Sequence, residues 1–126
     1  MNTDLKRGLE IANKIEKLSE RESVLDHFSV CLADSDVEKA LDIAYQIGDN
    51  YRRQSTLANI AEIVTRKNPA RGLSLVDNLA DDIERQRIIY LVASKFVTSD
   101  PGRALEVASR LKDKKKYQKI LDQLQK

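Results

Sequence analysis

Residues 98–111 read TSDPGRALEVASRL, and residues 66–79 read RKNPARGLSLVDNL. Each places Asp or Asn before a proline, a basic residue two positions after it, and a leucine two beyond that. The two phrases lie 32 residues apart, and the same step can be walked through the whole chain. Asp4, Asp36, Asn68 and Asp100 align, followed by Leu5, Val37, Pro69 and Pro101. Basic residues follow at Arg7, Lys39, Arg71 and Arg103, and small ones at Gly8, Ala40, Gly72 and Ala104. Leu9, Leu41, Leu73 and Leu105 are identical. Ile11, Ile43, Leu75 and Val107 come next, then Ala12, Ala44, Val76 and Ala108, and finally Ile15, Ile47, Leu79 and Leu111. Without any insertion, four units (4–35, 36–67, 68–99 and a shortened 100–126) account for nearly all of a single domain spanning 1–126. A fixed period of this length is the mark of a repeat architecture.

Each unit reads as two helices. The aligned Asp or Asn can cap the free N–H groups of a first turn. Proline at the next position loses nothing there, because that N–H has no helical partner. Gly72, Leu73, Leu75, Val76 and Leu79 fall on one face at 3.6 residues per turn, and by the same pattern Leu105 and Val107 turn toward the core. A short turn follows, clearest in GDN at 48–50, where Gly48 can take the left-handed geometry that ends a helix. The second helix carries apolar positions at Val24/Thr56/Ile88/Ile120, Leu25/Leu57/Ile89/Leu121, Phe28/Ile60/Val92/Leu124 and Leu32/Val64/Phe96. Ser19 with Glu22, and Asp81 with Glu84, have the spacing of capping boxes at its start. One such hairpin cannot bury its apolar face alone, but stacking copies can. The expected fold is all-α: a right-handed α/α superhelix, or solenoid, of about eight antiparallel helices in four hairpins.

Composition agrees. The 126 residues are 41% hydrophobic and 33% charged, with only 4 Gly and 2 Pro, which argues for long helices and few turns. The net charge of +2 does not call for nucleic acid as a default partner. No stretch approaches the roughly 18 apolar residues of a membrane helix, so no membrane role is expected. One cysteine excludes an internal disulfide framework, and without a signal-like apolar run the expected address is cytoplasmic.

The small residues Gly8, Ala40, Gly72 and Ala104, the alanines Ala61 and Ala93, and the prolines Pro69 and Pro101 carry a resemblance. The chain resembles the tetratricopeptide and HEAT class of helical-repeat proteins. It departs from that class in its period of 32, where tetratricopeptide repeats have about 34. It also has no Trp, and Tyr45 is the only aromatic residue in a first helix. The resemblance implies a non-enzymatic scaffold that binds a protein or peptide segment on a concave groove. In tetratricopeptide-like folds the first helices line that groove. Their polar faces then nominate Asp42, Tyr45, Gln46, Ser74, Asp77, Asn78, Glu106 and Arg110 as contacts. In HEAT-like packing the second helices would line it.

Three other features have two readings each. Arg21, Arg53 and Arg85 recur every 32 residues, with Tyr117 in the fourth slot; Asp49, Asp81 and Asp113 stand four residues ahead of it, with Lys17 in the first unit. These rows are either a repeated turn lock or a row that grips anions. The last unit holds eight basic against four acidic residues, and the first holds five against seven. Lys112, Lys114, Lys115, Lys116 and Lys119 are either a solvated end or a patch for nucleic acid or an acidic partner. Cys31 and His27 share a helix face, as boundary residues or as a reactive pair, but no third and fourth metal ligand is evident, so no metal or other cofactor is expected. Leu5, Leu9, Ile11 and Ile15 lack the polar substitutions of an end position, so the N-terminal edge is expected to pair with another chain, a second copy included. No phosphate-cradling glycine loop, nucleophile elbow or zinc-protease motif occurs.

Overall fold

Asp36, Asn68 and Asp100 each do two jobs at once. Their backbone N–H groups close the helix before them, bonding to Leu32, Val64 and Phe96 O at 2.8 Å. Their side chains open the helix after them, accepting from the N–H of Lys39, Arg71 and Arg103 at 3.1, 3.1 and 3.2 Å. All three lie outside the helical backbone region, with φ near −150° and ψ near 85°. For Asn68 and Asp100 the cause is the following proline, whose ring disfavours the α conformation in the residue before it. One residue thus joins the long helices ending at Lys67 and Ser99 to the next short one, while four residues, 33–36, separate Leu32 from the helix starting at Val37.

The computed structural model describes residues 2–14 and 18–126, with side chains from 5–11 and 19–126. Eight α-helices and no strands occur among the described residues. They are α1 (Asn2–Lys14), α2 (Leu18–Leu32), α3 (Val37–Ala44), α4 (Asn50–Lys67), α5 (Pro69–Val76), α6 (Asp82–Ser99), α7 (Pro101–Ala108) and α8 (Lys114–Leu124). The starts of α3, α5 and α7, and those of α4, α6 and α8, recur every 32 residues, as the sequence predicts. The start of α2 at Leu18 keeps the second period, and α1 is the exception. α1 is already helical at Asn2, so Asp4 lies inside it and not at its start. Leu5 stands there where repeats three and four have proline, but repeat two has Val37 and Asp36 still caps α3, so the missing proline alone does not account for the difference. Ile15, Lys17 and the side chains of Asp4 and Ala12 lie outside the described residues.

The contacts group the chain into two compact units, residues 1–60 and 61–126, which divide within α4. In the first, α2 packs against α1 and α3. Leu5, Leu25, Ile43 and Ile47 are buried together, with Leu9, Val24, Phe28 and Leu32 against them. In the second, α6 packs against α5, α7 and α8. Its buried face, Ile88, Ile89, Val92, Ala93 and Phe96, is joined in burial by Leu75, Val76, Ala104, Val107, Ala108 and Ile120. Gly72 sits so tightly that an added Cβ would lie 2.8 Å from Thr65 Cβ and 3.0 Å from its Cα. Glu62 takes part in a charged cluster here, 2.7 Å from Arg87 and 3.3 Å from Arg66, while Glu84 lies 2.8 Å from Arg87. Burial opposes the charge on Arg87. The hydrogen bond and charge of Glu84, then those of Glu62, outweigh it and hold its pKa above the ordinary arginine value.

Two expectations need correction. Leu105 does not turn inward as Val107 does: it is 43% exposed, because α6 and α8, the helices packed against α7, leave it uncovered. Gly48 does not adopt left-handed geometry, and no described residue has positive φ. The chain after α3 instead turns through Tyr45 and Gln46 in ordinary helical geometry, with Tyr45 N–H bonding to Leu41 O and Gln46 N–H to Ile43 O. Among the described residues, no helix is long and apolar enough to cross a membrane.

Candidate functional site

The turn between the two helices of a repeat is where polar side chains collect. Position 22/54/86 of the repeat is Glu22, Gln54 and Gln86. Glu22 is only 2% exposed, and its carboxylate accepts from Gly48 N–H at 2.7 Å and from Asp49 N–H at 3.1 and 3.2 Å. Gln86 repeats the device in the second unit: its Oε1 accepts from Lys112 N–H at 2.8 Å, and its Nε2 donates to Arg110 O at 3.3 Å. A long helix therefore pins the turn of the next repeat, 26 residues further along, by its backbone. The capping box read at Ser19 and Glu22 does not form. α2 is already helical at Leu18, and the Glu22 carboxylate is engaged with the next turn.

The aspartates four residues ahead of the arginine slot are caps. Asp49 accepts from Arg52 N–H at 2.8 Å, Asp81 from Glu84 N–H at 3.0 Å and Asp113 from Lys115 N–H at 2.8 Å. They are not the ion-pair partners of the arginines. Arg53 instead donates into its own turn, to Ile47 O at 2.9 Å, Gly48 O at 3.3 Å and Asn50 Oδ1 at 2.9 Å. At Arg53 the ladder is a turn lock. At Arg85 it is not. The residue that corresponds to Asn50 is Asp82, and its carboxylate is held by Lys112 Nζ at 3.0 Å.

This difference opens a cleft of about 370 Å³ in the second unit. Asp77 at the end of α5, Asp82, Arg85, Gln86 and Ile89 on α6, and Arg110 and Lys112 in the turn after α7 line it. Among the described residues the side chains of Arg85 and Arg110 have neither hydrogen-bond nor ion-pair partners. A cleft of about 360 Å³ in the first unit, lined by Asp26, Asp49, Tyr51, Arg52, Ser55 and Thr56, differs in kind. Asp49 is spent on its cap there, and Asp26 Oδ1 lies 2.6 Å from the buried Thr56 hydroxyl.

Residues nominated from the sequence fall into three equivalent places. Tyr45 and Asp77, like Ser109, are the C-cap residues of α3, α5 and α7. Gln46, Asn78 and Arg110 follow them, with N–H groups bonded to Ile43, Leu75 and Val107 O. Asp42, Ser74 and Glu106 lie on the last turn of the short helices, exposed like the others. Of this set only Asp77 and Arg110 meet in one cleft. The lysine group is divided: Lys112 pairs with Asp82, Lys116 lies over the Tyr90 ring at 5.8 Å, and Lys114, Lys115 and Lys119 are exposed. Cys31 Sγ and His27 Nε2 do meet, at 3.6 Å on an exposed face, and no group of three potential metal ligands occurs among the described residues. Sequence reasoning passed over Arg85 as a possible exception and missed Gln86. It also missed Tyr51 and Ile83, which occupy one repeat position and are 82% and 80% exposed. Large apolar residues in the polar first turn of a helix are the signal that could have found them.

The chain matches no family model, no curated protein and no solved structure.

Proposed function

We propose that this chain is a non-enzymatic protein-interaction module, a divergent tetratricopeptide- or HEAT-like solenoid that holds a segment of another protein. One observation carries the reading. Many side chains that recur from repeat to repeat are consumed by the scaffold, as caps at Asp36, Asn68 and Asp100, as turn pins at Glu22 and Gln86, and as buried apolar positions. Several positions that differ between repeats are exposed, among them Tyr45, Tyr51, Asp77, Ile83 and Arg110. Exposed Tyr, Arg and large aliphatic residues on rigid elements are what protein interfaces use. The test is affinity capture from the native cell, followed by measured binding of the captured partner. Alanine at Tyr45 and at Asp77 should each weaken that binding; unchanged affinity in both counts against the reading.

A second reading rests on α8, which opens with Lys114, Lys115 and Lys116. Cations at a helix N-terminus oppose the helix dipole by about 0.3–1 kcal/mol each, so fold stability does not account for them. Nucleic-acid binding would use them. It would appear as an affinity that falls steeply with salt and is lost when Lys114–Lys116 are changed to Glu.

A further inference from the structure

From the second-unit cleft we infer that Arg85 and Arg110 form a receptor for one carboxylate group of the bound protein segment, an assignment that rests on the interaction reading above.

The cleft is prebuilt. Gln86 holds the turn that carries Arg110 by two hydrogen bonds, at 2.8 and 3.3 Å, and Lys112 is tied to Asp82 at 3.0 Å across the same turn. The two Gln86 bonds hold the backbone of that turn, and the two guanidiniums remain unengaged. A guanidinium presents a rigid fork of donors that matches a carboxylate. The repeat shows that the arrangement is not a demand of the fold. The equivalent of Arg85 in the preceding repeat, Arg53, spends its donors on the carbonyls of its own turn. The positions equivalent to Arg110 are Lys14, Gln46 and Asn78, and those equivalent to Lys112 are Glu16, Gly48 and Ala80, so no other repeat has an arginine at the first with a lysine at the second. Among the described residues, Arg85 and Arg110 line one cleft with both guanidiniums unengaged.

Charge selects the ligand. With Lys112 neutralised by Asp82, the cleft retains Arg85, Arg110 and the carboxylate of Asp77. That leaves one residual positive charge, which a monoanionic carboxylate balances. A phosphate dianion would leave an excess of negative charge facing Asp77. The carboxylate can come from an acidic side chain or from a chain terminus, and the chemistry is the same.

Nuclear magnetic resonance titration of the full chain tests this with three probes: tetraglutamate blocked at both ends, tetraglutamine with a free C-terminus, and inorganic phosphate. The Nε–H signals of Arg85 and Arg110 and the amide of Lys112 are the readout. Saturable shifts with tetraglutamate assign the carboxylate to side chains, and with tetraglutamine to a terminus. Arg85→Gln and Arg110→Gln should each weaken the effective probe about tenfold or more. Asp77→Asn should tighten it. Both arginine side chains lack intramolecular partners, so these variants should melt with the parent chain, which circular dichroism checks. Absence of saturable shifts with either peptide, glutamine variants that bind like the parent, or a preference for phosphate would each overturn the inference. Failure to capture a protein with these shifts intact overturns the interaction reading alone; capture without the shifts overturns the receptor alone.

Discussion

Replacing Glu22 by Ala removes the pin that holds the turn after α3. The carboxylate is 2% exposed and receives N–H groups of two residues at 2.7 to 3.2 Å. Hydrogen bonds to a charged group contribute about 1.5–3 kcal/mol. Gly48 and Asp49 are exposed, so water can partly replace the lost acceptor, and the charge no longer has to be buried. Against that, removing a buried side chain leaves a small void. The balance is a loss of about 2–3 kcal/mol. For a chain of this size that lowers the melting temperature by roughly 6–12 °C. Glu22→Gln keeps an acceptor oxygen, as Gln86 does naturally in the second unit, and should cost about 1 kcal/mol or less. Urea denaturation followed by circular dichroism measures both. Amide exchange at Gly48 and Asp49 gives the local readout and should accelerate in the Ala variant well beyond the global change. The reasoning fails if the Ala variant is within about 0.5 kcal/mol of the parent, or if the Gln variant loses as much as Ala.

Gly72→Ala should destabilise by about 1–3 kcal/mol despite its better helix propensity, because the new methyl meets Thr65 Cβ at 2.8 Å and backbone Cα at 3.0 Å. Adding Thr65→Ala should recover only part of that loss, as denaturation of the double variant will show. Gly102→Ala, where the nearest atom is 3.9 Å away, should be neutral or stabilising by up to about 1 kcal/mol in the same assay. Asp100→Ala, which removes the cap of α7, should cost about 1 kcal/mol and leave Pro101 unable to compensate. At the N-terminal edge, sedimentation at high micromolar concentration should reveal association in the parent chain and none in Ile11→Glu; a strictly monomeric parent refutes the paired edge.

Most helix starts were legible in the sequence because they are local. An Asp or Asn, then Pro, then a periodic apolar set needs only a few residues of context, and 36, 68 and 100 cap as expected. Burial was legible where the pattern had a neighbour to meet. Ile43, Leu75 and Val107 are 2–4% exposed, while the aligned Ile11 is 56% exposed. Identity alone misled: Leu9, Leu41, Leu73 and Leu105 share a letter, but only Leu41 is buried. The candidate site was half legible. Asp77 and Arg110 could be named because the helical period puts them on the polar faces of the short helices. The pinning role of Glu22 and Gln86 did not, because their partners are backbone groups 26 residues away that leave no signature in side-chain identity. Arg85 looked like a copy of Arg53 until the neighbouring Lys112–Asp82 pair separated them.

That pinning has an evolutionary corollary. Gln86 grips the turn after α7 through the N–H of Lys112 and the C=O of Arg110, atoms that every residue except proline supplies at the first and any residue at the second. The side chains at these positions are thereby excused from structural duty. Mutation can exchange them with little risk to the fold, so each turn is a changeable letter in a fixed frame. A lineage carrying such repeats could alter its choice of partner one turn at a time, without first having to relearn how to fold.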